Sequence, residues 1–462
     1  MIGVTHLGRK RFKVHFVGIG GIGMSGIAEV LVNLGYEISG SDLKESETTE
    51  RLSSLGAKVC CGSHRPDNVA GSDVVVVSSA VRLGNTEVEE ATRRGIPVIP
   101  RAEMLAEIMR LKESIAISGT HGKTTTTSLM ATILAEAGWD PTVVVGGRLN
   151  ALGKSAAVGK GDWMVAEADE SDGSFLKLSP SIAVITNIDP EHLDHYHSVE
   201  NLHKAFIEFA NKVPFYGFTM LCLDHPAVQS ILPKVTKKFF TYGLSIQADY
   251  RGEEIRYGTD DTSFELIARG KPLGAVTVKL IGAHNVLNTL ASMGVALELG
   301  IPFAAASRAI ASFEGVSRRF TILGEFNGAL LVDDYAHHPV EIKATLEAAH
   351  AAHRGKNIIA VFQPHRYSRV QLLHEEFEKA FNRASEVVVT DIYAAGEDPA
   401  TGVSAARLAE NIRSHGHHNV TYLPMLPQVV DHLEKKLGAD DLVISLGAGD
   451  VSWVLKELLK RL

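Results

Sequence analysis

At roughly 150 residues per domain, a chain of 462 residues has room for about three domains. A hydrophobic fraction of 45% and a charged fraction of 22% exclude a disordered, collagenous or coiled-coil protein. No uncharged apolar run approaches the ~18 residues of a membrane span, and 46 Lys and Arg against 54 Asp and Glu leave a net charge of −8, which disfavours a nucleic-acid surface.

The N-terminal stretch is basic but leads straight into the strand-like run KVHFVGIG, without the apolar core and cleavage site of a signal peptide. A cytoplasmic protein is expected, with neither membrane nor nucleic acid as partner. The first block, from about Phe12 to Arg110, continues with the helical pattern IGMSGIAEVLVNLG and the strand YEISGSD. Between the first strand and helix, Gly18, Gly20, Gly21 and Gly23 form G-x-G-x-x-G, with Asp42 lying 24 residues past Gly18. Such glycines let a diphosphate approach backbone amides at a helix N-terminus, and an acid at the end of the next strand suits a ribose. Further on, Asp73–Ala80 carries four consecutive valines, as a strand covered on both faces should. Cys60, Cys61 and Cys222 lack metal-site or disulfide spacing and are expected to be reduced thiols.

A second block opens at Ser114. Its glycine loop, Gly119, Thr120, His121, Gly122, Lys123, Thr124 and Thr125, departs from G-x-x-x-x-G-K-[ST] only in having Ile117 where the first glycine belongs. Backbone amides there can cradle phosphates, Lys123 can reach β/γ oxygens, and a Thr hydroxyl can ligate Mg²⁺. The strand WMVAEADESDGSF supplies Glu167 as a magnesium ligand, with Asp169, Glu170 and Asp172 as competitors. His192, His195 and His197 follow at a spacing poor for zinc, so one functional imidazole is expected. From Phe239 to Lys279 the pattern alternates between turn signals and reads as a small antiparallel sheet. A helix beginning at GAHNVLN closes the block near Phe320.

The third block, Thr321 to Leu462, is βα again, with strands at GALLVDDY, NIIAVFQP, EVVVTDIY, NVTYLP and DLVISLGAG. Arg318-Arg319 stands at its entrance, Asp333-Asp334-Tyr335 ends one strand, and His365, Arg366 and Arg369 end the next. Two guanidiniums three apart can fork onto one carboxylate, and strand C-termini are where open α/β sheets bind ligands. His350, His353, His417 and His418 read as exposed helix-end residues.

In order, HFVGIGGIGMSGIAEVL, GTHGKTTTT, EADESDGSF, NIDPEHLD, GAHNVLN, GVSRRF, DDYAHHP and FQPHRYSR resemble the motifs of the Mur ligases of peptidoglycan synthesis, over essentially the whole chain. That resemblance implies an α/β protein of three domains: a Rossmann-like UDP-sugar domain (1–112), a P-loop-type central ATPase with a small antiparallel sheet (113–320), and a Rossmann-like amino-acid domain (321–462). The branch it favours uses ATP and Mg²⁺ to join L-alanine to the lactyl carboxylate of UDP-N-acetylmuramate. Gly18, Gly20, Gly21, Gly23, Ser41, Asp42 and Ser79 would then hold the UDP-sugar. The loop from Gly119 to Thr125 would take the ATP phosphates, and Thr124, Glu167 and His192 would surround Mg²⁺. Asn285 and Asn288 would read the adenine, with Arg319, Asp334 and Tyr335 coming in around the nucleotide on closure. His365, Arg366 and Arg369 would face the alanine. Lys123, Arg319 and His365 would be the catalytic groups, and a monomer or weak homodimer is expected. A murein-peptide ligase, a folylpolyglutamate synthetase and a nicotinamide dehydrogenase are the competing readings. The last explains Gly18–Asp42 but not Lys123, Glu167 or His192.

Overall fold

The computed structural model describes residues 12–78, 81, 84–149 and 154–462. Five short strands open the fold: β1 (Lys13–Val17), β2 (Glu37–Asp42), β3 (Lys58–Cys61), β4 (Val74–Val77) and β5 (Val98–Pro100). They form a parallel sheet in the order β3-β2-β1-β4-β5. The chain therefore reverses its winding between β1 and β4, which opens a crevice at the strand C-termini. The glycine loop lies there, ahead of the helix Ile22–Asn33. The valine run is a strand only over Val74–Val77, with Val75 and Val76 fully buried.

Ten strands make the central sheet: β6 (Glu113–Ser118), β7 (Thr142–Leu149), β8 (Lys154–Ala157), β9 (Trp163–Glu167), β10 (Ile182–Ile185), β11 (Phe218–Cys222), β12 (Phe239–Gly243), β13 (Tyr250–Tyr257), β14 (Thr262–Ala268) and β15 (Lys271–Val278). Their order is β15-β14-β13-β12-β11-β10-β6-β9-β7-β8. The segment expected as a small antiparallel sheet is continuous with this one, because β12 and β13 pair in parallel and extend it. The connections after them are short. Arg269 and Gly270, both at positive φ, make the two-residue turn between β14 and β15 that suits a hairpin.

The last six strands are β16 (Thr321–Phe326), β17 (Ala329–Asp334), β18 (Asn357–Phe362), β19 (Glu386–Val389), β20 (Val420–Tyr422) and β21 (Asp441–Leu446), ordered β16-β17-β21-β18-β19-β20. Alternate residues of the same strands fill separate cores. Val332, Ala360, Phe362 and Ile444 face one; Leu331, Ile359, Val361 and Val443 face the other. Helices thus cover both faces, as period-two burial of a parallel sheet requires. β16, absent from the sequence reading, is an antiparallel edge strand with a bulge. It joins β17 through Asn327-Gly328, both at positive φ, a hairpin signal that was legible.

The chain divides into two compact units: residues 1–253, 265–276 and 287–314, and residues 254–264, 277–286 and 315–462. His353 and His417 are half-buried, not exposed: His353 stacks on Phe320, and His417 Nε2 lies 3.0 Å from the Ala384 carbonyl.

Candidate functional site

In the first unit the N-terminal glycine loop is held from behind by β2. The Gly18 and Ile19 amides donate to the Ser41 carbonyl at 2.8 and 3.0 Å, and the Gly20 amide donates to Asp42 Oδ2 at 2.8 Å. A methyl at position 20 would stand 2.8 Å from that carboxylate oxygen and displace it, so glycine lets Asp42 keep this contact. Asp42 therefore shapes the loop itself. Ser41 is fully buried, and its hydroxyl donates to Glu87 Oε2 at 2.5 Å, inside the protein. Ser79 lies outside the described residues.

Glu87 was not singled out from sequence. It is completely buried and also accepts from Asn68 Nδ2 at 2.5 Å and the Arg65 amide at 3.2 Å. Burial pushes its pKa up, but hydrogen bonds from His15, Ser41 and Asn68 outweigh that and hold it at about 2.

The second glycine loop leaves β6 with Gly119 at φ +132° and Gly122 at φ +83°. A methyl at Gly119 would sit 2.1 Å from Thr186 Oγ1, and one at Gly122 2.5 Å from Asn288 Oδ1. The backbone is thereby pressed against its supports at both glycines. Lys123 begins the helix Lys123–Glu136. Its ammonium donates to the Gly119 and Thr120 carbonyls at 2.6 and 3.1 Å and pairs with Glu170 at 2.8 Å. Burial works against that charge, but Glu170, Glu167 and Asp169 outweigh it and hold Lys123 above the usual lysine range.

Thr124 Oγ1 donates to Glu167 Oε2 at 2.9 Å. A hydroxyl and a carboxylate at the mouth of a phosphate loop are the hard oxygens that Mg²⁺ prefers, so the residues fit that ion. Of the three imidazoles, His192 faces the acids, with Nε2 3.4 Å from Glu191 and 3.8 Å from Glu170. His195 and His197 are exposed. Thr120 and His121 line the loop: Thr120 Oγ1 accepts from the Asp189 amide, and the His121 amide donates to Asn187. Thr125 is buried in the first turn of the helix. Asn288 is buried and accepts from Thr126 Oγ1 at 3.2 Å, buttressing the loop from beneath.

In the second unit Asn285 is likewise buried, its amide donating to the Ile281 carbonyl at 2.8 Å. Asp334, at the end of β17, accepts from the Ala336 and Phe320 amides, both at 2.7 Å. Burial raises its pKa to about 6, against the pull of Arg319. The two entrance arginines separate in role. Arg318 is tied to Asp333 and to the Gly447 and Gly449 carbonyls, stitching β17 to the loop after β21. Arg319 pairs with Glu341 at 3.3 Å, beside the Tyr335 ring.

After β18, Arg366 adopts φ +69°, which a non-glycine residue rarely takes. Its amide donates to the Tyr393 carbonyl. The His365 ring stacks on Tyr393 with centroids 5.5 Å apart, and Arg369 turns back toward the His365 carbonyl at 3.4 Å. Burial first, then the charges of His337, Arg369 and Arg366, depress His365 to about 4, so it is a neutral imidazole at pH 7. Arg366 is exposed and Arg369 half-buried, and both follow directly on the end of β18.

A diphosphate-type loop, a buried phosphate-loop lysine with a hydroxyl–carboxylate pair beside it, and a strand end carrying two arginines define the class. The chain belongs to the Mur ligase family. The models described as Mur ligase family, catalytic domain, as Mur ligase middle domain and as Mur ligase, glutamate ligase domain match residues 13–113, 117–296 and 318–449. Within the family it is 56% identical to the UDP-N-acetylmuramate–L-alanine ligase of Sorangium cellulosum, over 98% of this chain and 97% of that one. It is also 56% identical to the enzyme of that name from Geobacter sp. strain M21, over 97% of each chain. The crystal structure of the UDP-N-acetylmuramate–alanine ligase of Thermotoga maritima superposes with a TM-score of 0.82 at 29% identity, covering 97% of this chain and 99% of that one. Among the described residues no helix is long and apolar enough to cross a membrane.

Proposed function

We infer that this chain is an ATP-dependent ligase that joins L-alanine to the lactyl carboxylate of UDP-N-acetylmuramate in the cytoplasmic assembly of peptidoglycan precursors. The observation that carries the reading is the Lys123 loop with Thr124 against Glu167, in a chain 56% identical over 98% of its length to a relative of that name. Residues 1–112 would bind the UDP-sugar on the Gly18–Gly23 loop, with Asp42 and Ser41 fixing the loop's shape. Residues 113–320 would bind ATP on Gly119–Thr125, and residues 321–462 would bring the alanine to His365, Arg366 and Arg369. Thr124, Glu167 and His192 would hold Mg²⁺, which supplies charge neutralisation at the transferring phosphoryl group.

The lactyl carboxylate attacks the γ-phosphorus of ATP, giving an acyl phosphate and ADP. Lys123 takes up charge developing on the phosphoryl oxygens, and Arg319 would be a second cation for that role. The alanine amine, once deprotonated, attacks the acyl carbon, and inorganic phosphate leaves from the tetrahedral intermediate. His365, held at about 4, is too weak a base to draw a proton from an ammonium at neutral pH and would orient the amine instead. Asn285 and Asn288, both buried and bonded internally, would act on the adenine side by setting loop shape. Asp334 and Tyr335 would complete the nucleotide's surroundings. The test is phosphate release that requires ATP, UDP-N-acetylmuramate and L-alanine together. Release without either acceptor, or a change in NADH absorbance, would overturn the reading.

A further inference from the structure

Arg101 opens the helix Arg101–Met109 and belongs to no motif recognised in the sequence. Its side chain lies against Gly23, the last glycine of the N-terminal motif: a methyl built on Gly23 would stand 3.0 Å from Nη1 and 3.3 Å from Cζ. The side chain is three-quarters buried, and the charge its guanidinium meets is Asp169 Oδ2 at 3.8 Å. That separation makes an ion pair but exceeds a hydrogen bond. Among the described residues no hydrogen bond fills its five N–H donors.

The surroundings make this position unfavourable for a lone cation. Gly23 is in the first turn of the helix Ile22–Asn33, and Arg101 is in the first turn of its own helix. Both helix N-termini carry partial positive charge. Asp169 offsets this only in part, being itself partly exposed. An anion bound on the glycine loop would fill the donors and neutralise both helix ends together.

We propose that Arg101 is an anion-binding residue of the UDP-sugar site, contacting the diphosphate, and that Asp169 is the partner it gives up when the sugar nucleotide binds. This rests on the UDP-sugar reading above. It also links the two glycine loops, since Asp169 stands between Glu167, which accepts from Thr124, and Glu170, which holds Lys123.

Titration calorimetry on the full chain, with UDP and with UDP-N-acetylmuramate, tests it. Arg101→Ala should raise the Kd of both by roughly ten- to a hundredfold, the loss of a charge-assisted hydrogen bond. Arg101→Lys should recover only part of that affinity, since an ammonium lacks the fork. Asp169→Asn should tighten both ligands severalfold by removing the competitor, while ADP binding to Arg101→Ala without sugar nucleotide should stay within about threefold of the parent. A Kd within twofold of the parent in Arg101→Ala overturns the proposal. A loss confined to UDP-N-acetylmuramate, with UDP unaffected, overturns the diphosphate contact and moves Arg101 to the lactyl carboxylate. Absence of UDP-N-acetylmuramate binding to the parent protein would instead bring down the substrate reading on which the proposal stands.

Discussion

Replacing Lys123 by alanine removes an ammonium that serves two purposes, and the structure allows them to be separated. In the nucleotide-free protein Lys123 compensates Glu170, which is only 2% exposed. Breaking a buried ion pair from one side typically costs about 3–5 kcal/mol of stability. Here the cost should fall toward the lower end, because burial already raises the Glu170 carboxyl to about 7 and, without Lys123, it can take a proton near neutral pH. The catalytic loss has another origin: the β/γ-phosphate charge goes unmatched in the transition state, which costs about 10²–10³ in rate. Lys123→Ala paired with Glu170→Gln tests the division. The neutral amide removes the uncompensated charge, so thermal stability should largely return while phosphate release stays 10²–10³ below the parent. Turnover that recovers along with stability would refute the reasoning, since Lys123 would then act only as a structural partner of Glu170.

Asp42→Ala should weaken UDP-N-acetylmuramate binding by releasing the Gly20 amide and loosening the loop, with ADP affinity retained; unchanged sugar-nucleotide affinity by calorimetry would contradict it. Arg366→Ala and Arg369→Ala should each raise the alanine KM by roughly ten- to a hundredfold, because most of alanine's binding energy must come from its carboxylate. Lost ATP affinity with an unchanged alanine KM would move these arginines to the nucleotide. His365 sits near 4 when folded, against an ordinary value of 6.5. An unfolded chain therefore binds its proton first as pH falls: the stability this residue contributes is present above about pH 6.5 and is lost on the way down to about 4. A His365→Gln variant should lose less melting temperature than the parent across that window, and parallel slopes would refute the assignment.

The two glycine loops, Lys123, Glu167 and the paired arginines were all readable from the sequence, because each depends on local spacing: a strand, a turn that glycine permits, and a helix start. The third block's alternating cores were readable for the same reason, since period-two burial is written into consecutive residues. What the sequence could not specify was which distant group each side chain meets. Glu87 reaches back 46 residues to Ser41, Glu170 reaches 47 to Lys123, and Glu341 lies 22 beyond Arg319. Tyr393 lies beyond β19, the strand beside the one that leads to His365. Parallel crossovers bring these groups together, and their order in space does not follow their order in the chain. Ser41, expected at the ligand, turned inward because strand alternation aims it at Glu87. Asn285 and Asn288, expected at the base, are held beneath the surface by Ile281 and Thr126. Arg101 carries no local signature at all; packing alone laid its guanidinium across Gly23 and opposite Asp169.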